Sequence, residues 1–241
     1  MTGTFVNVGG IIIGSLIGLF LKRGIPENIN NAIIKVEGVA ILVIGLNGVL
    51  TAMLSVGASG RLESDGALLL LVSLVVGCLV GEALKIEDRL NGLSGVLERR
   101  LKSDNLSKGF VTASLVFVIG AMAIVGALND GLSGDHTILF TKTMLDFITA
   151  IVLAASLGIG VIFSAIPVFI VQGAISMLAR FIAPYISDEL IRLFSMVGYA
   201  LVMALGLNFL ADTKIRAANL LPALAVPIAY YYIFVASGGV G

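Results

Sequence analysis

Charge is scarce in this chain. Only 12% of its 241 residues are Asp, Glu, Lys or Arg, about half the share of an ordinary soluble domain. A soluble domain of this length must meet water with a polar surface, so this composition excludes one. The formal net charge is zero, with 15 basic and 15 acidic residues, which leaves no global field to attract nucleic acid. Cysteine and histidine are almost missing. One cysteine, Cys78, excludes an internal disulfide, and one histidine, His136, excludes a multi-histidine metal site. Nucleotide and catalytic signatures are missing as well: the chain has no P-loop, no GxGxxG, no HExxH and no nucleophile elbow. An ATP-driven pump or a hydrolase therefore has no support. The expectation is a protein that is not an enzyme and uses no cofactor or metal.

What is abundant is apolar. Hydrophobic residues make up 58% of the chain and the mean hydropathy is +1.08, which excludes disorder and predicts a chain folded in a lipid bilayer. A helix needs about 20 apolar residues to cross the hydrocarbon core. Runs of that kind lie near 4–21, 37–54, 67–84, 110–128, 138–157, 162–180, 191–211 and 216–236. Backbone polar groups must be satisfied within the segment in lipid, and runs this long do so as helices. The period-two alternation of a membrane β-barrel is missing. The fold class predicted is all-α: a polytopic membrane helix bundle of seven or eight spans in one integral membrane domain over 1–241.

Two segments stand apart. The stretch from Leu157 to Pro167 reads LGIGVIFSAIP and has no charge, where a loop between spans five and six should be polar. Either the connection is buried in protein, or one span is broken or re-entrant, and Gly158, Gly160 and Pro167 permit each arrangement. With seven spans instead of eight, the C-terminus changes side. Over 86–101, Ile86, Leu90, Leu93, Leu97 and Leu101 recur at helical spacing among charged residues. That pattern predicts an amphipathic helix on the cytoplasmic face of the bilayer.

Positive charge orients the chain. Lys22 and Arg23 follow the first apolar run, the reverse of a secretory signal, so the first run reads as a retained helix with its N-terminus outside. Lys22, Arg23 and Lys35 then fall inside, with Lys85, Arg89, Arg99, Arg100, Lys102 and Lys108 after span three and Lys214 and Arg216 before span eight. Arg61, Lys142, Arg180 and Arg192 are left on the other side. Eight spans with both termini outside give this asymmetry of eleven against four.

An internal echo joins residues 25–47 to 186–208 without a gap. Val36 to Asn47 reads VEGVAILVIGLN, and Val197 to Asn208 reads VGYALVMALGLN. Under the eight-span topology these two helices run in opposite directions, which is the plan of an inverted repeat with halves over 1–130 and 138–241. Gly14-x-x-x-Gly18 and Gly77-x-x-x-Gly81 are close-packing motifs that can set contacts within one chain or between two, and the expectation is a homodimer through a small-residue face of span one or three. Cys78 lies inside the second motif and is expected in the core.

Ionisable residues deep in a membrane cost about 2.5–3.5 kcal/mol for an aspartate at a helix centre. Most charges here sit at span ends, Glu37 and Glu82 among them. Asp146 is the exception. Nine residues into span five, it lies roughly 13 Å deep. Lys142, four residues earlier, shares its helix face and can pair with it. The pair reads either as an ion or proton site in a cavity or as a structural ion pair. Gln172, Asn47, Asn208, Asn129 and Asp130 are further polar residues in or at the ends of spans, suited to coordinating a substrate or to bonding helices together. Asn7, before Gly9 and Gly10, reads as packing, and His136 as an ordinary loop residue.

Several of these stretches resemble a known group. KTMLDF from Lys142, ASLGIGVIFSAIPV from Ala155, Gln172-Gly173, GALNDG from Gly126 and the opening from Gly3 to Gly14 are similar to the YqgA/YdfK-like bacterial inner-membrane proteins, a family of unknown function (domain of unknown function 554). The family pattern often has glycine after the aspartate, where this chain has Phe147. The resemblance covers essentially the whole chain and implies the bacterial plasma membrane and a transport role. Two functions follow as expectations. One is a secondary transporter or channel for a small solute or ion, with H⁺ or Na⁺ coupling through Asp146. The other is a non-transporting membrane partner protein. A transporter should offer water a path to Asp146, whereas a scaffold should pack it dry against Lys142. For the topology, a reporter fused after Arg100 should be active only in its cytoplasmic form, and a periplasmic readout there would overturn the orientation.

Overall fold

A backbone in hydrocarbon has no water to bond, so it winds into helices whose length follows the apolar runs. In the computed structural model, residues 1–22, 26–57, 60–89, 106–118, 121–211, 213 and 215–236 are described. The first helices are α1 (Thr2–Lys22), α2 (Glu27–Met53) and α3 (Ala67–Leu84). Between α2 and α3 lies a small antiparallel hairpin, β1 (Leu54–Val56) and β2 (Leu62–Ser64), with Leu54 opposite Ser64. Next come α4 (Leu106–Val118), α5 (Ala121–Leu132), α6 (Thr137–Leu157), the single turn α7 (Gly160–Phe163), α8 (Ala165–Ile182) and α9 (Asp188–Ala211). A 3₁₀ segment (Ala217–Leu224), α10 (Ala225–Tyr230) and a π-turn (Tyr231–Val235) make the last span. Among the described residues, seven helical spans are long and apolar enough to cross a membrane. An eighth arises if α4 and α5, inclined at 61°, count as one. The amphipathic segment expected over 86–101 falls beyond residue 89 outside the described residues.

The chain divides into two compact units, Met1–Glu37 with Leu90–Ile186, and Gly38–Arg89 with Ser187–Gly241. Each draws on both of the halves 1–130 and 138–241. In the first unit, α1 and α6 lie parallel, with Gly3 against Leu139, Gly10 against Thr143, Gly14 against Phe147 and Gly18 against Ile151. A Cβ added at Gly14 would sit 2.5 Å from the Phe147 carbonyl oxygen, and one at Gly18 would sit 2.2 Å from that of Ile151. Small residues let the two backbones meet where lipid supplies no hydrophobic drive. The close approach at position 147 is thus made from the α1 side, and Phe147 does not prevent it.

In the second unit, α2 from Gly38 onward packs antiparallel on α9. Gly38 meets Gly206, and Gly45 meets Tyr199 and Met203. Gly77 and Gly81 of α3 meet Ala223 and Asn219 of the last span. The glycine faces of α1 and α3, expected to serve a homodimer, are therefore filled within the chain. Cys78, expected in the core, is exposed on α3. A small apolar residue is as comfortable against lipid as against protein, so its apolar setting could not separate the two. The same applies to Phe20, Leu68, Met144 and Phe181, all at least 70% exposed.

The uncharged stretch 157–167 is a buried connection. The chain turns at Gly158, whose φ of 85° and ψ of −157° suit glycine alone. After it, α7 packs on the start of α4, with Gly160 against the Leu106 carbonyl. Leu157, Gly158, Gly160, Val161, Ser164 and Ala165 are buried, so no polar loop is needed to meet solvent. Pro167 falls in the first turn of α8, where its missing N–H costs little. Gly18→Ala should lower stability by about 1–3 kcal/mol through overpacking. Gly9→Ala, with nothing within 4 Å of the added Cβ, should leave it unchanged or slightly raised. Thermal unfolding midpoints in detergent will check both.

Candidate functional site

The first unit buries one face from each of three helices. On α6 that face runs through Leu139, Lys142, Asp146, Ala150, Leu153 and Leu157, spaced by three and four. On α1 it includes Thr4, Asn7, Ile11, Gly14, Ser15 and Gly18, and on α8 it includes Ala165, Val168, Gln172, Gly173, Ser176 and Ala179. Each face is apolar or small except where Lys142, Asp146, Asn7 and Gln172 interrupt it. Lys142 Nζ donates to Asp146 Oδ2 at 2.5 Å, and both residues are 6% exposed. The Asn7 amide faces the same carboxylate, and its Nδ2 donates to Gln172 Oε1 at 3.3 Å. Asn7 and Gln172 are fully buried. The sequence-predicted residues Asp146, Lys142 and Gln172 thus lie in one three-helix packing, joined by Asn7.

Hydrogen-bond accounting separates the pair from the amides. Lys142 and Asp146 have each other as partners. The amides are incomplete: among the described residues, Asn7 Oδ1 and Gln172 Nε2 are buried without a partner, as are the hydroxyls of Ser15 and Ser176. Turning both amides end for end leaves the same balance, one free carbonyl oxygen and one free amide nitrogen. An unpartnered buried polar group costs about 1–3 kcal/mol, so a free acceptor and a free donor at one place are suited to a polar ligand that brings the complement of each.

The other predicted residues have other surroundings. Asp130, at the end of α5, holds the start of α1. Its Oδ1 takes the N-terminal ammonium at 3.0 Å, its Oδ2 takes the Thr4 N–H at 3.3 Å, and His136 Nδ1 lies 2.7 Å from Oδ1. A carboxylate there answers the positive end of the helix dipole. Asn129 is half-buried, and its carbonyl accepts from Ser133. Asp135 accepts the Thr137 N–H at the start of α6, and that bond holds its carboxyl below the usual range. Asn47 and Asn208 belong to the second unit. Asn47 is exposed on α2. Asn208 lies in the last turn of α9 and closes the chain after it: Nδ2 donates to the Ile215 carbonyl at 2.7 Å, and Oδ1 accepts the Ile215 N–H at 2.8 Å. Its amide is used locally.

Three groups escaped the sequence reading. Asn7, before Gly9 and Gly10, reads from the sequence as packing alone. Asn219 is buried and joins the end of α3 to the last span. Its Nδ2 donates to Glu82 at 2.7 Å, and its Oδ1 accepts the Glu87 N–H at 2.8 Å. Arg216 bridges Glu82 and Asp88 in the same network, and burial pushes the Glu87 carboxyl up. The third, Glu37, is buried against Ser156; its place at a span end had suggested an interfacial charge.

These features define a class: an all-α, multi-pass membrane protein with a buried polar cluster in one helical unit. The family described as "Protein of unknown function (DUF554)" matches residues 2–232, and the chain belongs to that family. It is 35% identical over 238 residues, 99% of both chains, to "Uncharacterized membrane protein YdfK" of Bacillus subtilis (strain 168). It is 29% identical over 235 residues, 94% of this chain and 95% of the relative, to "Uncharacterized protein YqgA" of Escherichia coli (strain K12). No solved structure matches. Asp146→Asn, which leaves Lys142 buried without its counter-charge, should cost about 3–5 kcal/mol. Adding Lys142→Met should recover most of that loss, as read by denaturation in detergent.

Proposed function

We propose that the protein is a secondary transporter or channel for a small polar solute or ion in the bacterial plasma membrane. The observation that carries this reading is the buried set Asn7, Gln172, Asp146 and Lys142, with one acceptor and one donor left over within the span. Helix glue would be expected to satisfy its own atoms, whereas a binding site presents atoms to be satisfied. A second support is the internal echo, read as an inverted repeat. In the 25–47 and 186–208 echo each residue pairs with the one 161 positions on, so Gly38 corresponds to Tyr199 and Gly45 to Gly206. The contact of Gly38 with Gly206 and that of Gly45 with Tyr199 are then images of one another, as a two-fold between antiparallel helices requires. The same offset carries α1 onto α8, the two helices that supply the amides.

One observation favours the alternative, a membrane partner protein without transport: Asp146 and Lys142 are packed dry on each other. The two readings differ at the amides. In a Cys78→Ser background, Gln172→Cys should react with a small hydrophilic thiol reagent if the site exchanges ligand with water, and should stay unreactive in a scaffold. In proteoliposomes screened across ions, amino acids and small carboxylates, the double variant Asp146→Asn with Lys142→Met should insert normally and lose flux about tenfold or more, a cost of about 1.4 kcal/mol. Normal flux would remove Asp146 from the mechanism and leave the amides.

A further inference from the structure

The end of α6 farthest from Asp130 holds a buried carboxylate that the ligand cluster does not use. Glu37 of α2 is 6% exposed. Its two oxygens lie 2.8 and 2.6 Å from the hydroxyl of Ser156 on α6. The same hydroxyl lies 3.0 Å from the Val152 carbonyl and 3.2 Å from that of Leu153. Four acceptor oxygens therefore converge on a group with one hydrogen. Among the described residues no cation pairs with Glu37. Lys22 of α1, the charged group nearest in the bonding network, donates to the Ser156 backbone carbonyl at 3.2 Å instead. From α6 the packed face offers Ser156 and no charge. On α2 itself, Lys35 is two residues away and has interactions of its own.

An ionised Glu37 would leave one oxygen without a donor and a bare charge in an apolar setting, which is costly. One added hydrogen removes the charge and supplies a second donor. A protonated Glu37 donates to Ser156 Oγ, and the Ser156 hydroxyl hydrogen passes to the Val152 carbonyl, a common back-bond in helices. Two of the contacts are then a donor meeting an acceptor instead of one, and no bare charge is left. We propose that Glu37 and Ser156 form a proton-binding site, in which the glutamate takes up H⁺ as a carboxylic acid and gives it back as a carboxylate. That this proton couples to solute movement rests on the transport reading; that the site binds a proton does not.

The test uses the full chain in lipid nanodiscs and infrared difference spectra between neutral and alkaline pH. The wild type should show a carboxylic-acid C=O band that is lost on the alkaline side. Glu37→Gln should remove that band, and Asp146→Asn should leave it. Ser156→Ala should keep the band and shift it to higher frequency, because the acid has lost its acceptor; this variant serves if Glu37→Gln does not insert. A wild type without such a band, or a band untouched by either change at the site, would overturn the proposal. Loss of the band on adding Na⁺ at constant pH would also overturn it, by showing a cation site instead. In proteoliposomes with an identified solute, Glu37→Gln should abolish acceleration by a pH gradient while solute exchange persists. An infrared result as expected with no flux for any solute would sink the transport reading alone.

Discussion

Hydrocarbon offers no hydrogen-bond partner, and every polar atom in this protein is governed by that fact. It makes helices of the apolar runs, since only a helix satisfies its own backbone. It also makes the few polar side chains inside the spans informative. Where Asn208 meets the Ile215 backbone, or Asn219 meets Glu82 and Glu87, the partners are complete and the amide shapes the chain. Where Asn7 and Gln172 keep an oxygen and a nitrogen without a partner among the described residues, the accounting stays open. Glu37 is the third case, a buried acid with too many acceptors for one hydroxyl.

Packing follows from the same solvent. Lipid tails are as apolar as leucine, so helices are not squeezed together and must gain from close contact. Glycine supplies it in both units: Gly14 and Gly18 bring α1 onto α6, and Gly38, Gly45 and Gly206 bring α2 onto α9. The backbones touch where a Cβ would collide with a carbonyl oxygen. Close packing of this kind holds α1 in place, and Asn7 sits on the same buried face, one to two turns from Gly10 and Gly14. The position of the polar cluster thus depends on glycines that carry no chemistry.

Asp146 shows how a single chemical idea divides once surroundings are known. Depth and the i,i+4 lysine were enough to single it out, and the structure has the pair closed at 2.5 Å. A closed pair is electrically quiet. The openness lies beside it, in amides from α1 and α8 that are distant in the chain, 165 residues apart. A carboxylate of equal interest, Glu37, was passed over because a position near a span end looked like an exit to water. In the fold that end is covered by α6, and the exit is closed.

From the sequence alone came the class of protein, the spans and the paired glycines, because length and hydropathy answer to the bilayer and hardly to neighbours. All eight apolar runs, read from composition, coincide with helices in the structure, including the bent pair α4 and α5 and the irregular last span. The sequence also showed that 157–167 was unusual, and the structure decided that it is a turn buried against α4. The short hairpin between α2 and α3, the outward face of Cys78 and the local use of Asn208 were likewise decided by tertiary structure. So was the meeting of Asn7 with Gln172. One-dimensional hydropathy reports how deep a residue lies and is silent on which way it faces. In a bundle whose inside and outside are both apolar, only the packing of one helix on another supplies that direction.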